Sequence, residues 1–184
     1  MYVIAIALGF QTFPTISIDY FFKDNLELTP TQLALFNSIS SSVWLLKPLF
    51  GFISDSFEIC GTKRKFYLCF FSLLQVIAWI VLSQFVNGFW GAVFVQSVVN
   101  MGTGFINVIG EAIMVELSAQ EPENNNTARN ISNYLTLTAI SMLISSYLGG
   151  FLLNFYSVRY VFLITALFPM TTFAAGLFAK EKQN

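Results

Sequence analysis

Lys47 and Glu111 lie inside long apolar stretches of this chain, and so do Gln96, Asn100, Thr103 and Asn107. Gln96, Asn100, Thr103, Asn107 and Glu111 follow one another at spacings of four, three, four and four residues. At about 100° per residue they share one narrow stripe of a helix. A carboxamide offers both a donor and an acceptor, and an ammonium and a carboxylate can pair. This is the chemistry of non-covalent recognition. Such a stripe serves either as interhelical glue or as a path for a polar solute, and the residues alone leave both open. Covalent catalysis has no support. The chain has no His, and no nucleophile–base pair, metal-ligand set or phosphate loop stands out. Cys60 and Cys69 make neither a disulfide framework nor a zinc site. The expectation is therefore no enzyme, no catalytic residue, no metal and no cofactor.

The elements that must hold these residues are transmembrane helices. Apolar residues make up 55% of the chain and charged residues 10%, with a mean hydropathy of +0.67. A soluble domain carries about 25% charged residues. The net charge of −1 argues against a nucleic-acid partner. A bilayer core about 30 Å thick needs about 20 helical residues. Stretches of that order run over roughly 1–22, 30–54, 66–86, 89–115, 130–155 and 158–179. The expectation is an all-α, integral membrane six-helix bundle in a single domain over 1–184. Residues 1–18 are apolar from the start without a basic n-region, so they read as a first span rather than a signal peptide. Thr29, Pro30 and Gln32 have the spacing of a capping box with proline at the first helical position. Asn87-Gly88 reads as a tight turn that makes spans three and four antiparallel neighbours.

Basic residues give the orientation. Lys63, Arg64, Lys65, Arg129, Lys180 and Lys182 fall on one side, and Lys23 and Arg159 on the other. Six against two puts both termini on the cytoplasmic or matrix side, in a plasma membrane or an organellar (mitochondrial) inner membrane. The sequons at Asn125 and Asn130 then face inward and read as chance.

Lys47 lies about seven residues from the basic end of span two, and Glu111 about four from that end of span four. At about 1.5 Å per residue their depths differ by only a few ångströms. The expectation is an ion pair or a shared solute contact, against the alternative that Lys47 snorkels to the headgroups. Glu116 points away from the stripe. Gln11, Thr15 and Asp19 form a shorter stripe on span one, with Asp19 reaching interfacial water. Ser72, Gln75, Trp79 and Ser83 on span three read as packing. Ser141, Ser145 and Gly149 on span five are spaced for close helix packing. Span six is apolar and aromatic and is expected to face lipid or a partner.

Several of these segments resemble a known family. Gly51-Phe52-Ile53-Ser54-Asp55 followed by Lys63-Arg64-Lys65 resembles the loop signature of the major facilitator superfamily between its second and third helices. Tyr20 to Pro30, Lys47 to Ser56 and Asn107 to Glu116 are similar to the folate-biopterin transporters of that superfamily. The three matches occur in order, each on its expected span. The resemblance implies the amino-terminal half of a major-facilitator-type transporter, with a site between two six-helix halves. It departs from the family at Asn107 and Glu111, where the family favours aspartates. It also implies that one half alone cannot provide alternating access.

Two functions follow from the resemblance. One is a non-transporting structural subunit of a larger membrane complex, with other membrane subunits and the lipid bilayer as partners. The alternative is an active half-transporter for folate- or pterin-like solutes, paired with itself or with a second six-helix half. In that alternative Lys47, Gln96, Asn100, Asn107 and Glu111 line the solute path. Gly51, Asp55, Lys63, Arg64 and Arg129 then form the loop motif and inner gate.

Overall fold

The computed structural model describes residues 2–57, 59, 64–119 and 126–178. Cys60, Lys63, Asn125, Lys180 and Lys182 lie outside the described residues. The helices are α1 (Tyr2–Phe10), α2 (Thr15–Tyr20), α3 (Pro30–Ser41), α4 (Lys47–Ser56), α5 (Lys65–Gln84), α6 (Phe89–Ala119), α7 (Asn126–Leu152), α8 (Val158–Thr165) and α9 (Leu167–Phe178). They make six spans long and apolar enough to cross a membrane: Tyr2–Lys23, Pro30–Ser56, Lys65–Gln84, Phe89–Glu116, Ala128–Leu152 and Val158–Leu177. The protein is thus an all-α integral membrane protein, with span boundaries within a few residues of those read from hydropathy.

Spans three, four and five are continuous helices, whereas spans one, two and six are broken. Each break has a proline beside it. A proline has no N–H to give the carbonyl four residues back, and its ring crowds that carbonyl. Pro14 thereby frees the Phe10 carbonyl, and residues 11–14 are turns between α1 and α2. Pro48 frees the Trp44 carbonyl. The Lys47 N–H takes it instead, at the end of a 3-10 stretch over Ser42–Leu46. Pro169 crowds the Thr165 carbonyl, and the sixth span breaks at Ala166. The fourth proline in described sequence, Pro30, opens α3 inside a complete capping box. The Thr29 N–H donates to Gln32 Oε1 at 2.9 Å, and the Gln32 N–H donates to Thr29 Oγ1 at 3.4 Å.

α5 packs along α6, α8 and α9, and α7 packs along α1. Ser141, Ser145 and Gly149 form the α7 side of the last contact. A Cβ on Gly149 would overlap the Phe13 carbonyl, and one on Gly9 would overlap Ser141. The Phe10 carbonyl, which Pro14 cannot serve, accepts from the Phe13 N–H at 3.1 Å and from Ser145 Oγ at 3.3 Å. The small side chains thus let two backbones approach, and a hydroxyl adds one bond between them.

The apolar core is in two parts. One cluster at the end away from the basic loops includes Phe21, Phe22, Phe36, Trp79, Leu82 and Phe162. The other, at the basic end, is built on Phe105, which stacks against Phe71 at 3.8 Å and Phe50 at 4.3 Å between ring centroids. Along α6 the first cluster takes Ala92 to Val99 and the second Phe105 to Met114. Polar residues fill the interval between them.

Candidate functional site

The interval between the two clusters holds a cavity of about 330 Å³. Its walls come from all six spans and include Gln11, Gln75, Gln96, Asn100, Thr103 and Asn107. Trp44, Trp79 and Phe168 supply aromatic faces. Among its lining residues there is no Lys, Arg, Asp or Glu. Each wall follows from local sequence. The spacing on α6 puts Gln96, Asn100, Thr103 and Asn107 on one face. The breaks at Pro14, at Ser42–Leu46 and at Ala166 lie where spans one, two and six meet the cavity.

The cavity polar groups are connected. Gln75 Nε2 donates to the Val99 carbonyl at 3.1 Å and to Thr103 Oγ1 at 2.7 Å. Gly102 lets α5 come this near, since a Cβ there would stand 2.6 Å from Gln75 Cγ. Asn100 Nδ2 donates to the Ser40 carbonyl at 2.8 Å. Gln96 Nε2 faces Asn100 Oδ1 at 3.5 Å. Four carboxamide oxygens, those of Gln11, Gln75, Gln96 and Asn107, are buried with no hydrogen-bond partner among the described residues. An acceptor left so costs about 1–3 kcal/mol.

Lys47 and Glu111 pair at 3.3 Å, as their common depth predicts. They are not among the residues that line the cavity, whereas Gln96, Asn100 and Asn107 are. Glu111 stands one helical turn beyond Asn107 toward the basic end. Lys47 Nζ lies 5.8 Å from the centre of the Trp44 ring, so one aromatic side chain meets both the cavity and the ion pair. The side chains are 32% and 48% exposed, so the pair stabilises by no more than about 1 kcal/mol.

At the basic end Arg64 Nη2 meets Asp55 at 2.9 Å and Arg64 Nη1 meets Glu116 at 2.7 Å. Burial lowers the pKa of the guanidinium, but hydrogen bonds to Asp55 and Glu116 outweigh it and the net shift is upward. Arg64 therefore ties the end of α4 to α6. Gly51 keeps α4 close, since a Cβ there would stand 3.3 Å from Val108. Arg129 does not join this cluster. It is exposed and makes no ion pair among the described residues. Glu116, which the stripe left aside, holds the position expected of Arg129 as third member. Glu116 ends the fourth-span segment that resembles the family, but its pairing with Arg64 is seen only in the fold.

Two other expectations change. Span six does not simply face lipid: Val161, Phe162 and Thr165 are buried, and Thr165, Phe168 and Pro169 line the cavity. Its apolar composition suits burial against protein as well as lipid. Arg159 in its first turn donates to the Ser83 carbonyl at 3.1 Å and to Asn87 Oδ1 at 2.7 Å, closing the far end. Gln75 and Trp79 pack as expected, yet they also line the cavity.

The BT1 family pattern matches residues 8–184. The chain belongs to the BT1 family. Among its relatives, Folate transporter 1 of Plasmodium falciparum is 34% identical over 99% of this chain and 36% of its own length. Folate transporter 2 of the same organism is 30% identical over 100% of this chain and 40% of its own length. The Folate-biopterin transporter of Synechocystis is 28% identical over 90% of this chain and 33% of its own length. This BT1 family chain thus spans well under half the length of the curated relatives it matches. The resemblance read from Tyr20 to Glu116 holds, and it extends through the last two spans.

Proposed function

We propose that this chain is the solute-binding half of a membrane transporter for folate- or pterin-like solutes, completed by a second six-helix unit. The observation that carries the reading is the uncharged cavity, lined by the carboxamide residues Gln11, Gln75, Gln96, Asn100 and Asn107 beside Trp44 and Trp79. A flat heterocycle with N–H groups would satisfy both kinds of wall. The names of the relatives point the same way. The structural-subunit reading drops to second place, because interhelical glue alone gives no reason for a space lined by so many amides. The second unit would lie on spans two and five. Only 17% of the apolar window of each is buried, against 56% in spans three and four. Leu45, Phe52, Leu143 and Tyr147 are among the residues they leave exposed. The basic end would face the cytoplasm or matrix.

The full chain, purified with whatever accompanies it in mild detergent and returned to vesicles, is tested for saturable binding and uptake of radiolabelled folate and pterin. Saturable binding is expected, with uptake in the presence of a second half and weakened binding in Asn107→Leu, which alters a lining residue. Folded chain that binds neither solute, or that is found only in a stoichiometric large assembly, overturns the reading.

A further inference from the structure

The cavity has a mouth. Of the residues that line it, Thr15, Trp44 and Met142 are exposed, and the others are buried or half-buried. The three come from spans one, two and five, so the mouth opens on the side where the second unit would lie. Trp44 is the largest of them and is 38% exposed.

The two tryptophans of the cavity are held in different ways. Trp79 is 4% exposed and packs against Phe162 at 5.7 Å between ring centroids. It is a fixed wall. The backbone of Trp44 belongs to the 3-10 stretch Ser42–Leu46, none of whose residues is buried. A 3-10 run of that length has poorer hydrogen-bond geometry than an α-helix. Segments with few buried contacts open at the lowest cost. No hydrogen bond or ring stack among the described residues ties down the indole.

The contact that does reach the Trp44 ring is electrostatic. Lys47 Nζ lies 5.8 Å from its centre, within the range of about 6 Å over which an ammonium is attracted to a ring face. Glu111 holds the same ammonium at 3.3 Å. It does so from α6, a continuous helix packed along α5. Glu111, Lys47 and Trp44 thus link a firmly packed helix to a loosely held ring at the mouth. Both charged side chains are partly exposed, so dissolved salt weakens the link.

We propose that the Trp44 side chain is a movable lid on the cavity mouth, latched by Lys47, which Glu111 holds in place. This rests on the solute-binding reading above and adds a control on how fast a solute enters and leaves. A latched lid slows both steps. It closes over the empty and the filled cavity alike, so unlatching it leaves the equilibrium affinity unchanged.

The test follows the fluorescence of pterin in stopped-flow mixing with the full chain, purified with whatever accompanies it. Pterin is uncharged near neutral pH, so direct attraction to the protein gives its rates no salt dependence. Raising salt from about 0.1 M to about 1 M shortens the Debye length from about 10 Å to about 3 Å. Association and release by the wild type should then both speed up about twofold, through the screened pair. Lys47→Met should raise both rates about two- to fivefold, the effect of losing one exposed cation–π contact. It should also abolish the salt dependence and leave Kd unchanged. Glu111→Gln should move both rates the same way by less. Neither residue lines the cavity, so a purely structural role would alter the circular-dichroism melt and not the rates. If Lys47→Met does not fold, the wild-type salt series and Glu111→Gln carry the test. Wild-type rates flat with salt, or rates unchanged in the folded variants, overturn the lid and leave the solute-binding reading standing. So does a release rate that rises alone, which is the mark of a lost wall contact. Folded wild type that binds no pterin overturns both.

Discussion

The middle of the bundle and its basic end handle polarity in opposite ways. At the basic end Lys47 faces Glu111, and Arg64 faces both Asp55 and Glu116. Their charge is satisfied by protein. In the middle the polar groups are neutral, and four carboxamide oxygens have no hydrogen-bond partner among the described residues. The charged residues look functional in sequence because a charge in an apolar segment is rare. The structure assigns them to tying spans together. On the proposed reading the capacity for recognition lies in amides, which a hydropathy reading treats as minor interruptions.

The comparison breaks first if the amides prove to be mere structure. Gln96→Leu combined with Asn100→Leu should weaken pterin binding about 100-fold, equivalent to about 2.7 kcal/mol, with little change in the melt. A variant that unfolds without altering the affinity of the folded fraction would put the amides with the glue. At the basic end the reverse is expected. Arg64→Met leaves Asp55 and Glu116 without their shared cation and should lower stability by about 2 kcal/mol. That is below the cost of breaking a fully buried pair, because the two carboxylates are 55% and 60% exposed. Pterin affinity of the folded fraction should be unchanged. Arg64→Lys should recover less than half of the loss, since one ammonium cannot serve two carboxylates with a guanidinium's geometry.

A smaller effect comes from Lys47→Glu, about 1 kcal/mol, largely restored by adding Glu111→Lys. A double variant no better than either single would dissolve the direct pairing. The smallest effect is at Arg129. Arg129→Gln should stay within about 0.5 kcal/mol of wild type in the melt, because it pairs with none of the described residues. Pterin binding to the resting cavity should also be flat with pH wherever the ring stays neutral, since no lining residue titrates near neutrality.

The six spans could be read from sequence because a bilayer imposes a length that few other environments require. The depth of Lys47 against Glu111 could be read because the helical rise is constant, and the amide stripe because the helical period is. What sequence hides is whatever depends on which helix stands opposite. Gln75 has the same polar character whether it faces a lipid-side neighbour, a core or a cavity. Its role depends on Thr103 and Val99 of another span. Glu116 lies outside the stripe, and its partner Arg64 comes from across a loop. Pro14, Pro48 and Pro169 are plain in the sequence, but a proline admits a kink, a cap or a break. Only packing decided that each would interrupt a span beside the cavity.

The 3-10 tract in span two has a mechanical meaning. It covers five residues, Ser42–Leu46, immediately before Lys47. A 3-10 helix advances about 2.0 Å and turns about 120° per residue, against about 1.5 Å and 100° in an α-helix. Rewinding those five residues would shorten the span by about 2.5 Å and rotate everything beyond it by about 100°. Span two is therefore a screw with slack in its thread. A small axial push on α3 would swing Lys47 off Glu111 and carry Trp44 with it, turning a linear displacement at one end into a rotary one at the cavity wall.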